Sequence, residues 1–161
     1  MADLPYIQLI EVKCWADRGL CEAIADHADR LAPGEMAILI QILDHFHAVD
    51  QIFQHHLLGR AHGFRAARSD VPPAFEALAK SIEEVDDWYR AYAGGLSPDE
   101  FDEYVDFTFT SGKAARMRRG DILLHVCLHG TYHRGNAGAV LQLKGLAPGR
   151  DSITDYLEEA A

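Results

Sequence analysis

His129 and His133 stand four residues apart in the run His129-Gly130-Thr131-Tyr132-His133-Arg134-Gly135-Asn136. On a helix, positions i and i+4 lie one turn apart on the same face, so this spacing brings two imidazoles to one point in space. Neutral imidazole is the commonest side-chain ligand of zinc, nickel and related ions. Two ligands do not make a site, and a third must come from elsewhere in the chain. The residue after His129 is Gly130, so the HExxH arrangement of a metalloprotease is absent and proteolysis is not expected.

The chain has nine histidines, which helical periodicity of about 100° per residue sorts by face. Ile38, Ile42, His45, Val49, Ile52 and His56 share one face of a predicted helix, whereas Asp44, His47, Gln51 and Gln54 lie away from it. His45 therefore points into the bundle, His47 into solvent or a partner, and Asp50 reads as a surface carboxylate. Further along, His125, His129 and His133 follow one stripe with Tyr132 and Asn136 beside it, and Arg134 falls on the other side. His45, His129 and His133 would converge as three nitrogens, leaving a coordination position for water or substrate. Spacing alone leaves a hydrogen-bonded core histidine open for His45, and it leaves His125 and His56 as further candidates.

Four long segments must position these groups. Pro5 suits the first turn of a helix running to about Leu31, and Ala32-Pro33-Gly34 makes a turn. A second helix is expected from about Glu35 to Leu58, ended by Gly59. The polar stretch from Arg60 to Val71 reads as a loop long enough for a crossover, so the order of packing stays open. Pro72-Pro73 opens a third helix that Gly94-Gly95 stop, and Ser97-Pro98-Asp99-Glu100 is an N-cap-like signal. Between Phe101 and Met117 the pattern becomes β-branched and aromatic around Ser111-Gly112-Lys113, which predicts a small hairpin. A fourth helix follows to about Leu143 with Asp121 as N-cap candidate, and an amphipathic tail from Ser152 to Leu157 docks at the end. The expected fold is all-α, a four-helix bundle with a two-stranded insert before the last long helix, whose core can hold a metal site.

At 161 residues the chain fits one domain, and 48% hydrophobic with 25% charged residues is the composition of a globular protein. The net charge of −10, from 25 acidic against 15 basic residues, disfavours a nucleic-acid surface. The one basic cluster, Arg116-Met117-Arg118-Arg119, reads as a solvated turn. Cys14, Cys21 and Cys127 form no CxxC pair and no even disulfide framework, so free thiols in a reducing compartment are expected. The start, Met-Ala-Asp-Leu-Pro-Tyr, has no basic and apolar leader, and no apolar run approaches the ~20 residues that span a bilayer. A cytoplasmic protein without a membrane partner is expected.

The segment Leu123-Leu-His-Val-Cys-Leu-His-Gly-Thr-Tyr-His-Arg-Gly-Asn136 resembles the last-helix signature of the DinB/YfiT-like family of metal-dependent enzymes: His, three residues, then His-Arg-Gly-Gln. Ile42-Leu-Asp-His-Phe-His-Ala-Val-Asp-Gln-Ile-Phe53 is similar to the family's Asn-His followed by a Val-Asp or Ala-Asp pair and an aromatic residue. Lys13-Cys-Trp-Ala-Asp-Arg-Gly-Leu20 resembles its Asn-x-Trp-Ala-Asn-x-x-Leu. The resemblance spans nearly the whole chain. It implies a four-helix bundle, commonly a homodimer, with a divalent ion such as zinc or nickel on His45, His129 and His133. Two departures, Asp44 for Asn and Asn136 for Gln, fall beside the ligands, and Cys127 replaces a small aliphatic residue on a side away from them.

Such an ion suits a thiol S-transferase-like reaction, in which the metal activates a low-molecular-weight thiol, or hydrolysis by metal-bound water. Tyr132 and Asn136 are the candidates for orienting substrate. The family name refers to damage-inducible expression of some members, so a metal-binding stress-response module without turnover is the reading of another class. A fourth protein ligand, from His125 or His56, would favour that closed site, and an open cleft would favour an enzyme.

Overall fold

Pro5 lies in the first turn of α1 (Leu4–Asp26), where its missing N–H leaves no donor unpaired. The computed structural model describes residues 4–161, so the first three residues, part of the stretch read as lacking a leader, lie outside the described residues. Helix α1 ends five residues before Leu31, and a 3-10 turn over Ala28–Arg30 completes the approach to the next helix. Ala32 is extended (φ −67°, ψ 154°), as the residue before a proline must be. Helix α2 (Pro33–Leu57) then starts two residues ahead of Glu35, because Pro33 fits its first turn and the Glu35 carboxylate accepts from Ala32 N–H at 2.8 Å.

The third helix, α3 (Phe75–Gly95), begins after Pro72-Pro73 and not at them: the chain stays extended to Ala74 (φ −60°, ψ 149°), whose carbonyl accepts the first helical bond from Leu78 at 2.9 Å. Ser97 and Glu100 form the anticipated capping box on a 3-10 turn over Pro98–Asp102. Strands β1 (Tyr104–Thr108) and β2 (Ala114–Arg118) pair antiparallel, with Val105 opposite Met117 and Phe107 opposite Ala115. Gly112 closes their turn at φ +84°, a conformation that favours glycine, and donates to Phe109 O at 2.8 Å. Helix α4 (Arg119–Leu143) starts straight from β2, so Asp121 is not its cap but a partner of Arg118 in the first turn. The basic cluster is likewise no turn: Arg116 pairs with Asp106 across the hairpin and Arg119 with Glu103. The short α5 (Ile153–Glu159) docks on α1 through Trp15, which packs on Tyr156 and donates to Glu159 at 3.0 Å.

Named contacts give the helix directions. Helix α1 runs antiparallel to α3, with Glu11 against Arg90 and Arg18 against Glu83, and parallel to α4, with Tyr6 against Gly120 and Asp17 against Arg134. Helix α2 is antiparallel to α4, with His45 beside His133 and Phe53 beside His125, and parallel to α3, with His47 on Ser81 and Tyr89 on Asp50. The bundle is therefore up, down, down, up. Two parallel neighbours cannot be joined by a tight turn, and the chain from residue 58 to 74 is the crossover that returns the path to the top of α3.

The apolar core is cut in two. Near the hairpin, Ile10, Val49, Phe53, Leu57, Tyr89, Phe101, Ile122 and Val126 form one cluster. At the other end, Leu20, Ile24, Leu39, Phe46, Leu78, Ile82, Ala137 and Leu141 form the second. Between them lies a charged layer. Lys13 is 1% exposed, and its Nζ reaches Asp17 at 2.6 Å, Asp86 at 2.6 Å and Asp50 at 2.9 Å, one carboxylate from each of α1, α3 and α2. Arg134 extends the layer from α4, donating to Asp17 at 2.8 Å and to Asp151, in the tail before α5, at 2.7 Å. Asp44, His47 and Asp50 are thus all buried, against the expectation of an outward face. Helix α2 packs on both α3 and α4, so its buried arc is wider than one amphipathic stripe.

Two cations, Lys13 and Arg134, face the four carboxylates of Asp17, Asp50, Asp86 and Asp151, so the layer holds protons. Burial opposes the charge of Asp17, yet Lys13 and Arg134 keep it below the ordinary carboxylate range. Burial dominates at the other two: Asp50 is pushed up to about 6, and Asp86 is raised further above the usual range, with Lys13 only partly compensating.

Two outcomes follow from this layer. A raised folded-state pKa means that folded protein keeps a proton the unfolded chain has lost, so its stabilising contribution is present at low pH and disappears as pH rises through the folded value. The stability of wild type relative to Asp86→Asn, followed by urea unfolding, should therefore fall as pH rises from about 5 to 9, by up to about 1.4 kcal/mol per pH unit; parallel profiles would refute the buried proton. At Gly130 a Cβ would stand 3.0 Å from Arg134 Nη1 and 3.7 Å from Lys13 Cε. Helix propensity favours alanine by about 1 kcal/mol, but Arg134 is pinned by two carboxylates and the overpacking costs about 1–3 kcal/mol. Gly130→Ala should destabilise by about 1 kcal/mol, whereas Gly135→Ala, which meets nothing within 4 Å, should stabilise.

Candidate functional site

Level with the charged layer, on the side where α2 meets α4, three imidazoles face one another. Helix α4 carries His129 and His133 one turn apart, with ring centroids 4.5 Å from each other, and α2 supplies His45, at 5.0 Å from His129 and 4.5 Å from His133. One ring nitrogen of each lies within 4.8 Å of the others. The antiparallel packing of α2 and α4 produces this register, and Gly130, buried between the two histidines of α4, lets that helix close on Arg134 and Lys13.

The nitrogens suit a cation. His45 Nδ1–H donates to the Ala67 carbonyl at 2.6 Å, which fixes the tautomer and leaves Nε2 with a free lone pair. His129 Nδ1 is buried with no hydrogen-bond partner, a lone pair or donor left without a match by the protein. Burial, followed by the proximity of His133 and His45, pushes the His129 imidazole down to about 3, and burial and His45 lower His133 as well. Both are neutral at neutral pH, as a metal ligand must be. Asn136 Nδ2 sits 3.4 Å from His133 Nδ1, placed to donate to the ring nitrogen. The donor set, three imidazole nitrogens, fits a borderline divalent ion such as zinc or nickel.

The other predicted residues fall around this centre. Tyr132 is 69% exposed and meets the His133 ring edge-on at 5.1 Å, at the rim. His125 stacks on His129 at 5.5 Å without joining the three converging nitrogens, and His56 lies toward the end of α2 against Phe107. His47, expected outside, is 4% exposed, bonds Ser81 Oγ through Nε2 at 2.7 Å, and is held down to about 4 by burial and Lys13. Cys127 is buried in the core and its thiol is pushed up to about 12 by burial, so it supplies no thiolate. The three cysteines are free.

Sequence reasoning read the crossover as a loop and missed its part in the site. Besides Ala67, it presents Ser69 N–H to the buried Asp44 carboxylate at 2.9 Å. With Gln41, Asp44 and His45, the crossover residues Ala66, Arg68, Ser69, Asp70 and Pro72 line a cleft of about 530 Å³ beside His45. No motif marks these residues, because the contacts use backbone atoms; the signal available was only the length of the loop and the unexplained acid at position 44. A second cleft, about 400 Å³, lies between α1 and α3, away from the histidines.

None of the described helices is long and apolar enough to cross a membrane. Comparison with curated proteins and with solved structures gave no match. The model of the DinB family matches residues 16–161, a span that takes in the charged layer from Asp17 onward, all three converging histidines and the docked tail, and the chain belongs to the DinB family.

Proposed function

We propose that His45, His129 and His133 hold a divalent metal ion, zinc or nickel, and that the protein is a metal-dependent enzyme that activates a low-molecular-weight thiol for transfer to an electrophile. The observation that carries this reading is the convergence of three imidazole nitrogens with no fourth protein donor among the described residues. A structural site would be closed by a fourth ligand; three protein ligands with a position left open are the pattern of a working centre. Bound there, a divalent ion supplies Lewis acidity and lowers the pKa of a coordinated thiol or water.

The chain's own residues set the rest. Ala67 and Asn136 orient the rings of His45 and His133 from behind. The cleft beside His45 has the volume of a small-molecule site. Its walls mix the aliphatic surface of Ala66 and Pro72 with the polar groups of Gln41, Arg68 and Ser69 and the carboxylates of Asp44 and Asp70, which suits a polar, flexible thiol better than an apolar ligand. Tyr132 lies exposed against the His133 ring, where its hydroxyl would meet the substrate or the departing group. Hydrolysis uses the same centre with water as nucleophile, and the nature of the cleft favours the thiol.

Elemental analysis of tag-free protein should give near-stoichiometric divalent metal, and the His129→Ala, His133→Ala pair should weaken metal affinity by more than about 100-fold, beyond what losing an outer hydrogen bond does. Failure of wild type to bind added zinc, nickel or cobalt would remove the reading altogether. In cobalt-loaded protein, a small thiol should produce a near-ultraviolet sulfur-to-metal band; cobalt binding without such a band would reject the thiol and leave the hydrolase.

A further inference from the structure

The last turn of α2 carries two adjacent histidines, His55 and His56, and the crossover returns His62 to them. The His56 and His62 rings stand 5.2 Å apart, edge to face. His56 is clamped by Phe107 of β1, stacked at 4.4 Å, and by Phe53 one turn earlier on α2, edge-on at 5.7 Å. Both rings bury a nitrogen that finds no partner: Nε2 of His56 and Nδ1 of His62. Four buried side-chain polar atoms in the described chain are unpartnered, and two of them meet here.

Buried polar atoms in folded proteins are almost always paired, so two orphans on neighbouring rings call for a partner that the protein does not supply. The aromatic clamp prevents His56 from swinging out to recover water without giving up its packing. The position also selects the sign of the missing group. The Gln54, His55 and His56 carbonyls are capped by the N–H groups of Leu58, Arg60 and Gly59, but the last turn of α2 still carries the negative end of the helix dipole, which favours a cation and disfavours an anion. Imidazole nitrogens select a transition-metal ion over magnesium or calcium. His55 stands by at the rim: its Nδ1–H donates to Gln51 O at 2.8 Å, which leaves Nε2 free, and its ring is 6.4 Å from that of His62.

We propose that His56 and His62 form a second transition-metal site, independent of the His45, His129 and His133 centre, in which two imidazoles and water hold a divalent ion. Eleven residues of α2 separate His45 from His56, or about 16 Å along the helix, so the two centres share no ligand and no coordination sphere. Two protein ligands make this the weaker site. An ion in it ties the start of the crossover to α2, and the same crossover carries Ala67 and the cleft wall farther on.

The test is made where the first centre is absent. Zinc is titrated calorimetrically into the His129→Ala, His133→Ala protein, with circular dichroism to verify the helical fold. The site predicts one zinc equivalent per chain, weakened at least tenfold by adding either His56→Gln or His62→Gln, and ring-nitrogen NMR signals of both histidines that move during the titration. His62 lies on the crossover outside the helices, so its substitution leaves the bundle intact. No zinc binding in the doubly substituted background, or binding that His62→Gln leaves unchanged, would overturn the proposal. If that background does not fold, wild type is titrated instead, where His62→Gln should remove the weaker of two equivalents and spare the tighter; loss of neither overturns it. Because the first centre is deleted or counted separately, failure here leaves the reading of His45, His129 and His133 untouched.

Discussion

The ammonium of Lys13 has exchanged its water for three carboxylates on three helices, and that exchange constrains everything around it. A lone buried ammonium is costly enough that it would give up its proton, but Asp17, Asp50 and Asp86 surround it and hold it charged, well above its ordinary value even against burial. None of the three can move without taking a hydrogen-bonding partner from the buried ammonium. Apolar side chains tolerate a slip of one helix past another by repacking; this layer does not. It fixes the heights of α1, α2 and α3 relative to one another, and Arg134, through Asp17, adds α4. A buried ion network is weak evidence for stability, since apolar residues of similar volume often do as well. Its value here is register, because the two apolar clusters on either side would permit neighbouring alignments that the charged layer forbids.

Register is what the histidines need. His45 and the pair on α4 come from helices that meet at the same level as the layer, and residues 129 to 134 serve both: His129 and His133 face α2 while Gly130 and Arg134 face α1. One turn of α4 therefore has a charge-fixed inner side and a histidine side that faces His45 of α2. Lys13 also acts on the histidines through space. After burial itself and the neighbouring imidazoles, its positive charge contributes to keeping His129 neutral, so the lone pair is available where the rings converge.

How far the sequence could be read depended on which physical signal each element leaves. Helices bounded by proline and glycine were legible to within a few residues, and the hairpin was legible from its change of period. The histidine set was legible because it uses side chains at helical spacing. Asp44, His47 and Asp50 were misread for one reason: a wheel with one apolar face has no way to represent a helix that is buried on two sides, one apolar and one ionic. Lys13 and Asp17, at i and i+4, look like an exposed pair on any surface helix, and only the arrival of Asp50 and Asp86 from α2 and α3 makes them a core. Long-range charge pairing leaves no periodic trace in a single chain.

The crossover joins these threads. Helices α2 and α3 run parallel, with Asp50 and Asp86 meeting the same ammonium and Tyr89 donating to the Asp50 carbonyl at 2.6 Å. Parallel neighbours require a long return, and this return passes the outer side of α2, where it bonds His45 through Ala67 and Asp44 through Ser69. A bundle whose second and third helices were antiparallel would need only a short turn, and no backbone would reach His45 from behind. The connection that looks like a spacer in sequence is thus a consequence of the parallel packing of α2 and α3, and it supplies both the carbonyl that sets the His45 tautomer and the wall of the cleft beside it.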